Sequence, residues 1–180
     1  MRRTRFLGFA HIARATIAVL LLMRVVASAQ DVTEPALKAA FIYNFARFTT
    51  WPDGWPASEP FVICVLGEAV ADALERVVKD RLLAGHPVAV SRATPSGANR
   101  ACHLLYITGV PSSQSAQLVG GLRDAPVLTI SDIEGFNDGG GMAQLFFEHG
   151  QLRFSIRLDP VKRARLQLSS KLIILAKPHE

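Results

Sequence analysis

Between Thr33 and Pro52 apolar side chains recur on almost every side of a helix. At roughly 100° per residue, Leu37, Ala40, Phe41, Asn44, Phe45 and Phe48 gather into one wide stripe. That stripe predicts an inward face, with Asn44 as a buried amide hydrogen-bonded to a neighbouring loop backbone. The opposite side is apolar too, with Ala39, Ile42, Tyr43 and Ala46 flanked only by Lys38 and Arg47. A helix apolar nearly all round needs covering twice, once by its own core and once by something else. Thr33 is placed to cap it, Glu34 and Pro35 suit its first turn, and Trp51-Pro52 ends it.

After a proline-rich loop holding Trp51 and Trp55, Phe61 to Leu66 is a continuous apolar run, as expected of a strand buried on both faces. Residues 69–83 then show helical periodicity, with Val70, Ala73, Leu74, Val77 and Val78 inward and Asp72, Glu75, Arg76, Lys79 and Asp80 outward. Further strands are predicted at 88–92, 102–107 and 127–130, with a short helix at 113–123. The last third changes texture: 142–147 and 151–158 flank His149-Gly150, and Leu152, Phe154, Ile156 and Leu158 alternate with other residues, as in an antiparallel hairpin. Short helices at 159–164 and from Ser169 or Ser170 to Lys177 complete the chain, with Leu166-Gln-Leu168 between them. The expected fold is an α/β three-layer sandwich, a mostly parallel sheet of about six strands with an antiparallel C-terminal hairpin.

The first 29 residues change the picture of charge. Arg2, Arg3, Arg5 and Arg14 precede a short apolar run, Ala15 to Met23, and Ala27-Ser28-Ala29 offers small residues for cleavage. This reads as a secretory signal peptide over 1–29, too short to stay as an anchor, with one domain over 30–180. The net charge of +5 lies wholly in that leader. The remaining chain is neutral and carries no basic stripe, so nucleic acid is not an expected partner. An exported chain with an even pair of cysteines, Cys64 and Cys102, reads first as disulfide-bonded. Free buried thiols and a Cys102 nucleophile are the alternatives; the last is disfavoured because His103, next in a strand, faces the other way.

Other candidate chemistry is thin. His86, His103, His149 and His179 show no ligand spacing, so no metal or cofactor is expected. Gly139-Gly140-Gly141 introduces a strand instead of a helix and reads as a turn or bulge rather than a phosphate cradle. Asp132, after the fourth strand, sits where α/β proteins place functional groups, and equally where a cap would be. No acid–base or nucleophile–base pair emerges, so the chain reads as a binder and not an enzyme.

The blocks at 39–52 (AAFIYNFARFTTWP), 61–67 (FVICVLG), 102–107 (CHLLYI), 127–136 (VLTISDIEGF), 140–142 (GGM) and 168–176 (LSSKLIILA) together resemble the YfiR family, in that family's order. The resemblance implies a periplasmic α/β protein that dimerises. It further implies restraint of an inner-membrane diguanylate cyclase of the YfiN type through its periplasmic region, lowering cyclic-di-GMP and biofilm formation. Cys64 and Cys102 match one family cysteine pair; the second, near the glycine-rich loop, is absent, since 139–151 hold no cysteine. With this family in view, Ile42, Tyr43 and Ala46, together with Trp51 and Trp55, are the expected dimer or partner contacts. Leu172 and Leu175 of the last helix read equally well as core. A small-molecule sensor module acting on another envelope receptor is the alternative function.

Overall fold

The computed structural model describes residues 33–52, 58–95 and 101–178. The leader, Trp55 and His179 lie outside them. In chain order the elements begin with α1 (Glu34–Arg47), β1 (Thr49–Thr50), β2 (Phe61–Val65) and α2 (Glu68–Val78). β3 (Leu82–Leu83), β4 (His86–Arg92), β5 (Leu104–Ile107), α3 (Ser112–Gly121) and β6 (Leu128–Ser131) follow. β7 (Ala143–Glu148), β8 (Gln151–Ile156), α4 (Leu158–Arg163), β9 (Gln167–Leu168) and α5 (Ser170–Leu175) complete the fold.

The continuous apolar runs become neighbouring parallel strands, since a strand covered on both faces buries side chains that point either way. Ile63 lies beside Leu104, and Leu104 beside Leu128. The sheet has seven strands in the order β3-β4-β2-β5-β6-β7-β8. β4 through β7 are parallel, and the edges β3 and β8 run antiparallel to their neighbours. One strand more than expected comes from residues 82–83. The predicted helix over 69–83 stops at Val78; Asp80 then takes a positive φ, and Ala84 and Gly85, both at positive φ, turn β3 back onto β4. Two such residues match a two-residue hairpin turn. His149 and Gly150 make the same kind of turn between β7 and β8, where the sequence expected it. A second, two-stranded sheet pairs β1 with β9.

Alternation along β2 sorts the core into two layers. Phe61, Ile63 and Val65 join the larger cluster with α1 and α2, while Cys64 and Leu66 join the smaller one on the α3 side. Thr33 holds the N-cap position of α1, and its carbonyl accepts from the Leu37 amide, but its side chain makes no capping bond.

The predicted orientation of α1 is reversed. Ala39 and Ile42 are fully buried, Tyr43 and Ala46 nearly so, whereas Asn44 is exposed and Phe41 and Phe48 are only half-buried. The small side chains Ala39 and Ala46 let α1 lie close against the core, and the bulky phenylalanines are left toward the rim. Apart from Phe45, which is buried as expected, the supposed outer side faces the core.

Candidate interaction surface

Among the described residues, α5 carries the two most exposed large apolar side chains, and a groove runs between it and α1. Ser169 caps α5, its hydroxyl accepting from the Lys171 amide at 3.3 Å. The element is tied at both ends to the rest of the fold: the Ser169 amide donates to the Phe48 carbonyl, and the Lys177 amide donates to the Phe154 carbonyl, each at 2.8 Å. Leu172 is the buried anchor. Ile174 and Leu175, by contrast, are 80% and 69% exposed, and Ile173 is also exposed. Leu172 is thus core, as the sequence allowed, and Leu175 is not.

Next to this ridge lies a groove of about 340 Å³ with Phe41, Phe48, Leu152 and Phe154 among its walls. Phe154 meets Phe45 and Phe41 edge-on, with ring centroids 5.0 and 6.1 Å away. Lys171 and Arg153 stand at the rim with Asn44. Asn44 is therefore a polar rim residue and not the buried anchor its position in the stripe suggested. A six-residue helix with adjacent exposed aliphatics, continuous with an aromatic-walled groove, is the kind of patch that monomers seldom leave open without use.

The other candidate residues take structural places. Cys64 and Cys102 form a disulfide, Cα to Cα 5.8 Å, closing a separation of 38 residues. Constraint of the unfolded chain over such a loop is worth about 4 kcal/mol. Cys102 precedes β5 instead of lying within it, so the bridge is not between level positions on two strands. His103 faces the opposite layer, stacked on Phe61, as the alternation required. Trp51 is buried rather than presented to a partner, its indole N–H donating to the His103 carbonyl at 3.0 Å. Ile42, Tyr43 and Ala46 likewise offer no outer surface. Trp55 lies outside the described residues.

Asp132 is tied to α1: the Lys38 ammonium donates to its carboxylate at 2.6 Å and also pairs with Glu34. Burial opposes the Lys38 charge, but the bonds to Asp132 and Glu34 outweigh it and leave its pKa raised. Tyr106 is fully buried beside this pair, its hydroxyl without a formed hydrogen bond; burial first, then the Asp132 charge, pushes the phenol's pKa upward. The ion pair spans 94 residues and left no signal in the sequence. The glycine run is a turn: Gly139, Gly140 and Gly141 donate to carbonyls of Gly135, Asn137 and Phe136. A Cβ on Gly141 would meet the Phe136 ring at 2.2 Å, so close backbone approach explains that glycine. Among the described residues no helix is long and apolar enough to cross a membrane, and no three His, Cys, Asp or Glu side chains gather to hold a metal.

The family profile described as YfiR/HmsC-like (DUF4154) matches residues 35–177. The chain belongs to this family. No curated protein matches the chain. Among solved structures, a conserved domain protein from Vibrio cholerae O1 biovar El Tor strain N16961 superposes with a TM-score of 0.53 at 13% identity. The match covers 82% of this chain and 60% of that one, so this chain spans less than two thirds of its relative's length. At that identity the likeness speaks for the fold alone.

Proposed function

We propose that this protein is a periplasmic regulator that restrains an inner-membrane diguanylate cyclase of the YfiN type by direct contact, lowering cyclic-di-GMP and biofilm formation. Residues 1–29 act as its cleaved leader, 30–180 as a single non-catalytic domain, and the working form is a homodimer. The observation that carries this reading is the uncovered ridge Ile173-Ile174-Leu175 beside the aromatic groove, in a chain of the YfiR/HmsC-like family. The groove suits an amphipathic segment, with apolar anchors laid against Phe41, Phe48 and Phe154 and acidic groups meeting Lys171 and Arg153 at the rim.

Replacing both exposed side chains, Ile174→Glu with Leu175→Glu, tests it. Neither is buried, so the melting temperature should stay within a degree or two of the parent. Capture of the cyclase's periplasmic region should be lost, and cyclic-di-GMP should rise to the level of a strain lacking the protein. Unchanged capture and unchanged cyclic-di-GMP would overturn the assignment of this surface. The groove's volume also falls in the range of small-ligand sites. A ligand-dependent melting shift without cyclase capture would therefore favour a sensor module instead.

A further inference from the structure

The start of the sheet at β2 and β5 carries an arrangement that the docking surface does not use. Val62 exchanges two hydrogen bonds with a single residue: the His103 amide donates to the Val62 carbonyl at 2.9 Å, and the Val62 amide donates to the His103 Nδ1 at 3.0 Å. The imidazole thus stands where a strand carbonyl would, extending the ladder beyond its first paired residues, Ile63 and Leu104. The His103 carbonyl in turn accepts from the Trp51 indole at 3.0 Å and from the Leu128 amide at 2.9 Å. Phe61 stacks on the imidazole at 4.7 Å between centroids, and Trp51 meets Phe61 edge-on at 4.8 Å. One histidine therefore holds the tryptophan that leads out of α1, through its carbonyl and through the ring it supports.

We propose that His103 is an acid-released latch that holds Trp51 against the sheet when neutral and loosens it when protonated. In the neutral ring Nδ1 is the acceptor, and a protonated Nδ1 would point a donor at the Val62 N–H. The preceding residue, Cys102, is fixed by its disulfide, so the backbone has little freedom to follow and the ring must swing out of its stack on Phe61. Among the described residues, the titratable and charged groups facing the imidazole include His86 of β4, whose charge adds to the repulsion, and Glu59 of the segment before β2, whose carboxylate opposes it. Arg47 of α1 stands across a concavity of about 500 Å³ that Trp51, Phe61 and His86 line. Burial, and then His86, hold His103 below the ordinary imidazole range.

The sign follows from linkage. A folded-state value below the unfolded one, about 6.5, means the stabilisation is complete above that pH and is lost as pH falls through the folded value. Access to the acidity of the medium depends on the periplasmic reading; the latch is a property of the purified domain and is tested there.

A Trp55→Phe background leaves Trp51 as the sole tryptophan of the protein. Its acrylamide quenching and emission maximum, followed from about pH 8 to about pH 5, should show several-fold greater accessibility and a red shift, with a midpoint below about 6.5. His103→Asn keeps an acceptor near the Nδ1 position without a titrating ring and should flatten the profile. Absence of any transition in the background protein, or an unchanged transition in His103→Asn, would overturn the latch. Should that variant fail to fold, the His103 Cε1–H resonance of the background protein still decides: it must titrate in step with Trp51 exposure, and titration at a separate pH overturns the proposal. The melting shift and cyclase capture of the ridge variants are independent of all these readouts.

Discussion

The two sides of α1 carry nearly the same chemistry and do opposite work. One side, Ala39, Ile42, Tyr43 and Ala46, is sealed into the larger core. The other, Phe41, Asn44 and Phe48, opens on the groove beside α5. Hydrophobicity does not separate them, since both are rich in apolar residues; size does. Alanines on one side let α1 sink into the larger core, while on the other Phe41 meets Phe154 of β8 edge-on and, with Phe48, walls the groove beside α5. The lesson is that an all-round apolar helix marks a covered side and an available side without saying which is which.

Three substitutions sharpen that contrast, in falling order of effect. Ile42→Glu would place an unpaired carboxylate where the native side chain is fully buried, and should cost ~5 kcal/mol or more, read as loss of the cooperative melting transition. A folded, stable Ile42→Glu protein would break the comparison. Leu172→Ala removes the buried anchor under the exposed ridge; about 2–3 kcal/mol is expected in urea unfolding, with partner capture weakened because the ridge loses its seat. Asn44→Ala alters an exposed rim residue and should change stability by less than about 0.5 kcal/mol. A larger loss would mean the amide does structural work after all.

Much of the fold was legible beforehand. The apolar runs at 61–66 and 102–107 read as strands covered on both faces because each is short and continuous, and β2 and β5 fill most of those stretches. The turn at His149-Gly150 and the cap at Ser169 carry local chemistry that acts within a few residues. The disulfide was the first reading of an even cysteine pair in a chain read as exported, but its geometry was not legible, since Cys102 bonds from ahead of its strand. The helix ends at Val78, short of residue 83, because Asp80 and Ala84 adopt positive φ, and Ala84 is not a residue type that favours it.

The candidate site was less legible. Leu172, Ile173, Ile174 and Leu175 form one apolar run, and whether such a run is core or ridge depends on how a six-residue helix is rotated. That rotation is set by hydrogen bonds from Ser169 to Phe48 and from Lys177 to Phe154, partners more than a hundred and about twenty residues away in sequence. The same holds for Lys38 with Asp132 and for His103 with Val62.

The sequence alone therefore determined the layered α/β architecture, a disulfide as the first reading of the cysteine pair and surplus apolar surface on α1. These rest on periodicity, composition and short-range backbone chemistry, which act along the chain, whereas the family rests on matched blocks of residues. The tertiary structure decided which side of α1 is sealed, that Trp51 is held inward by His103, and that the uncovered surface is the ridge of α5. Each of those depends on distant segments meeting, and equal hydrophobicity on two sides of a helix leaves that choice to the shapes of the side chains they bring.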